Sequence, residues 1–186
     1  MNSPKFRLVH ELLRGPGAHL SFEFFPPKED HGLEALYAIA RELNVFKPDY
    51  FSVTWGAGGS TVRKSLEVAS TIQQRTGSIC VAHFTGLGMT RALVDEMIAE
   101  MKQKGIRNIL VLRGDIPHGM KKGEAFQNGF RYAAELVAYI RSKPENSRED
   151  LSVLVAGCPE GHPEATSFES DMDYLAKKQE FNEKFN

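Results

Sequence analysis

The 186-residue chain carries 23 Lys and Arg against 24 Asp and Glu, a formal net charge of -1, with 41% hydrophobic and 25% charged residues. This even balance excludes the basic footprint of a nucleic-acid binder or an anionic-membrane protein, leaving one substantial core and small-molecule chemistry as the expectation. Cys80 and Cys158 lack CxxC or ligand spacing, which argues against a disulfide scaffold or a metal site, and the start MNSPKFRLVHELLRG has neither a long apolar h-region nor a bilayer-length run, so a cytoplasmic protein is expected.

In chain order, a short helix is expected over 4–14, followed by a strand over 19–25 that ends at Pro26 and Pro27. Alternation along that strand places Ser21, Glu23 and Phe25 on one face and Leu20, Phe22 and Phe24 on the other. Glu23 then stands among aromatic neighbours, where apolar surroundings would raise a carboxyl pKa and suit it to general-acid work. A buried ion pair or a solvent-facing edge position is the plainer reading, of about equal weight. The next strand, 49–54, ends at Thr54 and opens the loop Trp55-Gly56-Ala57-Gly58-Gly59-Ser60-Thr61. Its glycines would let backbone N–H groups approach an anion. Without the Walker lysine or GxGxxG spacing it is weak as a phosphate motif, and a tight turn capped by Ser60 or Thr61 outweighs that reading.

The strand over 79–83 ends in His83, which as a lone histidine in an apolar run is more often a core residue than a catalytic one. The stretch from Thr90 to Lys104 predicts a helix capped by Thr90 and stopped by Gly105, with Leu93, Met97, Ile98 and Met101 as its apolar stripe. A strand over 107–113 leads into Arg113-Gly114-Asp115; an adhesion role for that tripeptide is discounted without a secretory signal, and a local Arg113–Asp115 ion pair is the plain alternative. An aspartate beside a bound π-system would tune its redox balance. Surface loops are expected near 116–127 and 143–150, flanking a helical stretch, and the last strand, 151–156, precedes Pro159-Glu160-Gly161-His162-Pro163-Glu164-Ala165. That segment reads as a functional loop or a surface turn; its HxE spacing without a cysteine pair does not make a zinc deaminase.

Polar residues thus recur where apolar strands end, which is where a (β/α) barrel carries its chemistry. Units of about 30 residues alternating strand and helix imply a parallel sheet, either a barrel or a doubly wound open sheet, in one domain over 1–186. A Schiff-base aldolase would need a lysine at a strand end, and none of the five strands supplies one.

The segments SFEFFPPK at 21–28, FSVTWGAGGSTVRK at 51–64, AHFTG at 82–86, GIRNILVLRGDIP at 105–117 and PEGHPEA at 159–165 resemble, in order and spacing, the catalytic domain of the methylenetetrahydrofolate reductase family. The resemblance covers nearly the whole chain. It implies an α/β fold of the (β/α)8 TIM-barrel family with about five β/α units present. It also implies a ping-pong hydride transfer in which NADH or NADPH reduces FAD and the reduced flavin reduces 5,10-methylenetetrahydrofolate to 5-methyltetrahydrofolate. In this reading Glu23 matches the general acid and Asp115 an aspartate near flavin and folate, so that both also bind substrate. Thr54 matches a position near the nicotinamide. Trp55, Ala57, His83, Arg113, Gly114, Asp115, Tyr132, His162, Ala165, Asp171 and Lys178 match positions that hold FAD, with Arg113 and Lys178 suited to the pyrophosphate and Asp171 to hydroxyl groups. A homo-oligomer is expected.

Two departures accompany the likeness. Cys158 stands where the family has a tyrosine beside the flavin, and the family pattern runs on beyond Lys178 into further β/α units bearing a glutamine and an arginine for folate. The alternative is an inactive relative serving as a flavin-binding or partner-binding module.

Overall fold

The computed structural model describes residues 7–55, 59–116 and 129–183. Five parallel strands form the frame: β1 Ser21–Phe24, β2 Tyr50–Val53, β3 Ile79–Thr85, β4 Asn108–Leu112 and β5 Ser152–Val155. Their spatial order is β1-β2-β3-β4-β5. Each strand lies beside its predecessor and points the same way, whereas a doubly wound sheet reverses its order at a switch point. The alternatives left open by alternation are thereby separated: this is a (β/α)8 barrel-family fold, with β1 and β5 at the edges of the described sheet. Each expected strand contains the observed one, except that β3 runs on past His83 to Thr85.

The described helices are α1 Val9–Leu12, α2 Leu33–Leu43, α3 Gly59–Thr76, α4 Arg91–Gln103, α5 Ala133–Arg141 and α6 Phe168–Glu183. Helix α1 is shorter than the expected 4–14. On α4 the Thr90 hydroxyl accepts the Leu93 N–H at 3.2 Å, and Gly105 takes φ +81°, a left-handed conformation that ends the helix at little steric cost. Its stripe differs by one position from the expectation. Val94, Met97, Ile98 and Met101 are buried, while Leu93 remains 36% exposed. Adjacent helical positions are 100° apart, and the sheet lies on the Val94 side.

The two sheet faces have different work. Phe24, Phe51, Val53, Phe84, Ile109 and Val111 face the helices and form the main core with Leu66, Ile72, Met97, Met101 and Leu136. Removing such side chains from water is the dominant stabilising contribution, about 1.5–3 kcal/mol for each large one. The inner face carries a smaller cluster, in which Val9 of α1 packs on Ile79 and Val81 with Leu12, Leu110 and Leu154 around them. Buried polar groups dock α1 there. The Val9 N–H donates to Asn108 Oδ1 at 2.8 Å, Asn108 Nδ2 donates to the Arg7 carbonyl at 3.2 Å, and the His10 N–H donates to Ser152 Oγ at 3.2 Å. Asn108 and Ser152 begin β4 and β5, so α1 covers the starting end of the strands and leaves the opposite end to other groups.

No described helix is long and apolar enough to cross a membrane. Among the described residues no cluster of His, Cys, Asp and Glu is arranged to hold a metal ion.

Candidate active site

Parallel pairing sets Glu23 directly beside Ser52 in register, and period-two alternation puts both on the inner face with His83. The result is a cluster of three side chains from three consecutive strands. Ser52 Oγ donates to Glu23 Oε2 at 3.1 Å, and His83 Nε2 lies 3.1 Å from the same oxygen. The Glu23 side chain is 46% exposed and that of His83 only 9%. The aromatic enclosure expected for Glu23 is therefore replaced by polar neighbours: Phe22 and Phe24 turn to the opposite face, where they pack on Phe51. Burial pushes the His83 imidazole below its ordinary value, opposed by the Glu23 carboxylate, so the neutral ring is favoured near neutral pH.

Beside this cluster, Thr54 follows β2, and its N–H is held by the Phe24 carbonyl at 3.0 Å. Trp55 packs at 5.1 Å on the Phe84 ring. Gly114 takes φ +91° just beyond β4, and Asp115 is exposed. Ala57 lies outside the described residues.

A cavity of about 520 Å³ opens where β4 and β5 end. Arg113 after β4, Tyr132 before α5, Cys158, His162 and Ala165 after β5, and Asp171 and Lys178 on α6 all line it. Helical spacing explains the last contribution, because Asp171, Tyr174 and Lys178 recur every three or four residues and share one face of α6. Tyr132 stacks on Tyr174 at 6.0 Å with 25° between the rings. The loop is tied by its own polar groups: Asp171 Oδ2 accepts the His162 N–H at 2.9 Å, and His162 Nδ1 accepts the Glu164 N–H at 3.1 Å. His162 Nδ1 is thus unprotonated there, and a neutral ring carries its hydrogen on Nε2.

Three cations line the cavity: Arg113, Arg131 and Lys178. Lys178 Nζ donates to the Ala156 carbonyl at 2.7 Å. Arg113 Nη1 pairs with Glu164 Oε2, which replaces the local Arg113–Asp115 pair that sequence proximity offered. Cys80, by contrast, is fully buried in the core and its thiol is pushed up by burial, so it takes no part in the cavity.

The structure thus brings Arg113, Tyr132, Cys158, His162, Ala165, Asp171 and Lys178 to one cavity, and Glu23 and His83 to the neighbouring inner-face cluster. Sequence reasoning missed Ser52, Arg131 and Tyr174. Tyr174 was signalled by its spacing from Asp171 and Lys178, whereas Ser52 shows its place only through the sheet register beside Glu23.

Fold and site together define a (β/α)-barrel protein with a ligand cavity and an acid-bearing polar cluster at the C-terminal ends of its strands. The family model described as methylenetetrahydrofolate reductase matches residues 8–183, and the chain belongs to that family. It is 39% identical over 167 residues to methylenetetrahydrofolate reductase (NADH) 1 of Arabidopsis thaliana, covering 85% of this chain and 28% of the relative. Similarity to methylenetetrahydrofolate reductase 2 of Schizosaccharomyces pombe is 37% over 169 residues, covering 90% of this chain and 26% of the relative. Against 5,10-methylenetetrahydrofolate reductase of Salmonella typhimurium it is 34% over 160 residues, covering 86% and 50%. The chain therefore spans about a quarter to a half of the length of these relatives.

Proposed function

We propose that the chain bears the flavin and proton-donating part of an enzyme that reduces 5,10-methylenetetrahydrofolate to 5-methyltetrahydrofolate with NADH or NADPH. The observation that carries this reading is the convergence of Arg113, Tyr132, His162, Asp171 and Lys178, drawn from four separate segments, on one cavity at the ends of β4 and β5. FAD fits the chemistry of that lining. Arg113 and Lys178 offer cations to a pyrophosphate, Asp171 offers an acceptor to sugar hydroxyls, and the stacked Tyr132 and Tyr174 offer an aromatic surface. When bound, FAD supplies the hydride carrier between nicotinamide and folate.

The remaining chemistry belongs to the chain. Glu23 stands at an exposed position where it can hold a proton at its carboxyl and release it to the methylene-bridge nitrogen of the folate. Loss of that C–N bond leaves an electrophilic iminium carbon ready for hydride. Asp115, exposed after β4, is assigned to orient the folate and oppose negative charge on the flavin ring.

The test uses the purified chain loaded with FAD under anaerobic conditions. Retention of flavin by this chain is the expected result, and in a completed barrel bearing it, bleaching of the flavin by NADH or NADPH followed by its reoxidation on adding 5,10-methylenetetrahydrofolate. A protein that retains no flavin after removal of excess FAD overturns the site assignment. A completed barrel that retains flavin but transfers nothing to folate is instead a flavin-binding module.

A further inference from the structure

The two oxygens of Glu23 are not alike. Oε2 receives the Ser52 hydroxyl at 3.1 Å and stands 3.1 Å from His83 Nε2, whereas Oε1 has no hydrogen-bond partner among the described residues. His83 Nε2 is buried and unpartnered: Oε2 is in range, but the N–H is not aligned on it. Oε2, 3.1 Å away, is the acceptor that a turn of the imidazole would bring into line with this buried nitrogen.

We propose that Ser52 and His83 are positioning residues that reserve Oε2 as an acceptor and thereby put the transferable proton of Glu23 on Oε1, the oxygen left free for substrate. This rests on the reading of Glu23 as the acid of the folate step. A carboxyl carries its proton on one oxygen at a time. With Ser52 donating to Oε2 and His83 Nε2 only 3.1 Å from it, a hydrogen placed on Oε2 would oppose the first and deny the second its nearest acceptor; on Oε1 it opposes neither. The arrangement requires a neutral His83 with its hydrogen on Nε2, and burial of the imidazole favours the neutral form.

In the step that follows, the Oε1–H bond breaks as an N–H bond forms at the bridge nitrogen of 5,10-methylenetetrahydrofolate. The bridging C–N electron pair goes to that nitrogen, the carbon becomes the iminium, and Glu23 is left as a carboxylate. Its new negative charge is met at Oε2 by the same two donors, and water at the exposed side chain returns the proton to Oε1.

Long-range 1H–15N correlation on the labelled 186-residue chain at pH 7.5 reads the His83 tautomer without any cofactor. The expected result is a protonated Nε2 and a bare Nδ1. A bare Nε2 overturns the proposal whatever the activity, because that nitrogen would then draw the Glu23 proton to Oε2. In an FAD-loaded completed barrel bearing this segment, Ser52→Ala is expected to slow reoxidation of reduced flavin by the folate about 10-fold with little change in KM. Ser52→Thr should restore most of the rate. Equal rates in Ser52→Ala and the parent barrel overturn the positioning role while leaving the functional reading intact. A parent completed barrel that binds flavin but transfers nothing to folate overturns that reading and the proposal with it, even where the tautomer is as expected.

Discussion

Arg113 Nη1 lies 2.5 Å from Glu164 Oε2, so a cation suited to a phosphate is already holding a carboxylate. The two residues are 51 positions apart, and the contact joins the end of β4 to the loop after β5. Both side chains are partly open to water, at 25% and 48% exposure, which screens the pair and keeps it exchangeable. A bound anion at Arg113 must compete with Glu164 or share the guanidinium with it.

Glu164→Gln should therefore tighten FAD binding about 2- to 5-fold, the worth of an exposed ion pair of ~0.2–1 kcal/mol. Arg113→Ala should weaken it about 10-fold or more, since a hydrogen bond to a charged group contributes ~1.5–3 kcal/mol. Equilibrium titration with flavin fluorescence checks both. Unchanged affinity in Glu164→Gln would show that the carboxylate does not compete.

In a completed barrel bearing this segment, Glu23→Gln should separate the two half-reactions. Reduction of flavin by the nicotinamide asks for no carboxylic acid and proceeds, whereas reoxidation by the folate falls by roughly 10²–10⁴, the usual share of a general acid. Stopped-flow absorbance resolves the two steps. Equal losses in both would make Glu23 a structural residue.

Acid should destabilise the fold below about pH 6.5, the ordinary imidazole value from which His10 and His83 are both lowered. Burial is the leading cause in each; Arg148 adds to it at His10, and Glu23 opposes it at His83. The unfolded chain then binds protons more readily than the folded one, so the stability present above the unfolded value is lost as pH falls through the lower folded values. Thermal unfolding from pH 8 to 5 should show a plateau and then a decline. His83→Gln should make the decline shallower; an unchanged slope would exclude His83 from it.

Gly114→Ala should disturb the cavity rim. At φ +91° an alanine is strained, and its Cβ would stand 3.0 Å from Thr85 Cβ. The expected cost is ~1–3 kcal/mol, a fall in Tm of about 2–10 °C for a chain of this size, with weaker flavin binding. Differential scanning calorimetry with and without FAD measures both effects. An unaltered Tm would mean that the β3 and β4 ends relax freely.

The strands were legible because each is a run of β-branched and aromatic residues closed by Gly, Pro or a polar residue, a local signal. What was not legible depends on distance in the chain. Arg113 had Asp115 two residues away and chose Glu164, because the loop after β5 returns over the end of β4. Leu93 and Val94 both fit a helical stripe, and only the location of the sheet decides between them. Glu23 was expected among aromatic neighbours because alternation sorts the faces of one strand; it cannot say that Ser52 and His83 arrive on the same face from two others. Asn108 and Ser152 passed unnoticed inside apolar runs, since their partners are backbone groups of a helix about a hundred or more residues earlier.

Those last contacts have a consequence for synthesis. Helix α1 is held by Asn108, 99 residues after Val9, and by Ser152, 142 residues after His10. Four residues do not sustain a helix alone in water. At a translation rate of about 5–20 residues per second, the segment waits on the order of ten seconds before Ser152 has been made. Through that interval a segment made early waits for partners made much later, and the apolar Val9 and Leu12 are open to any chaperone that meets a nascent chain.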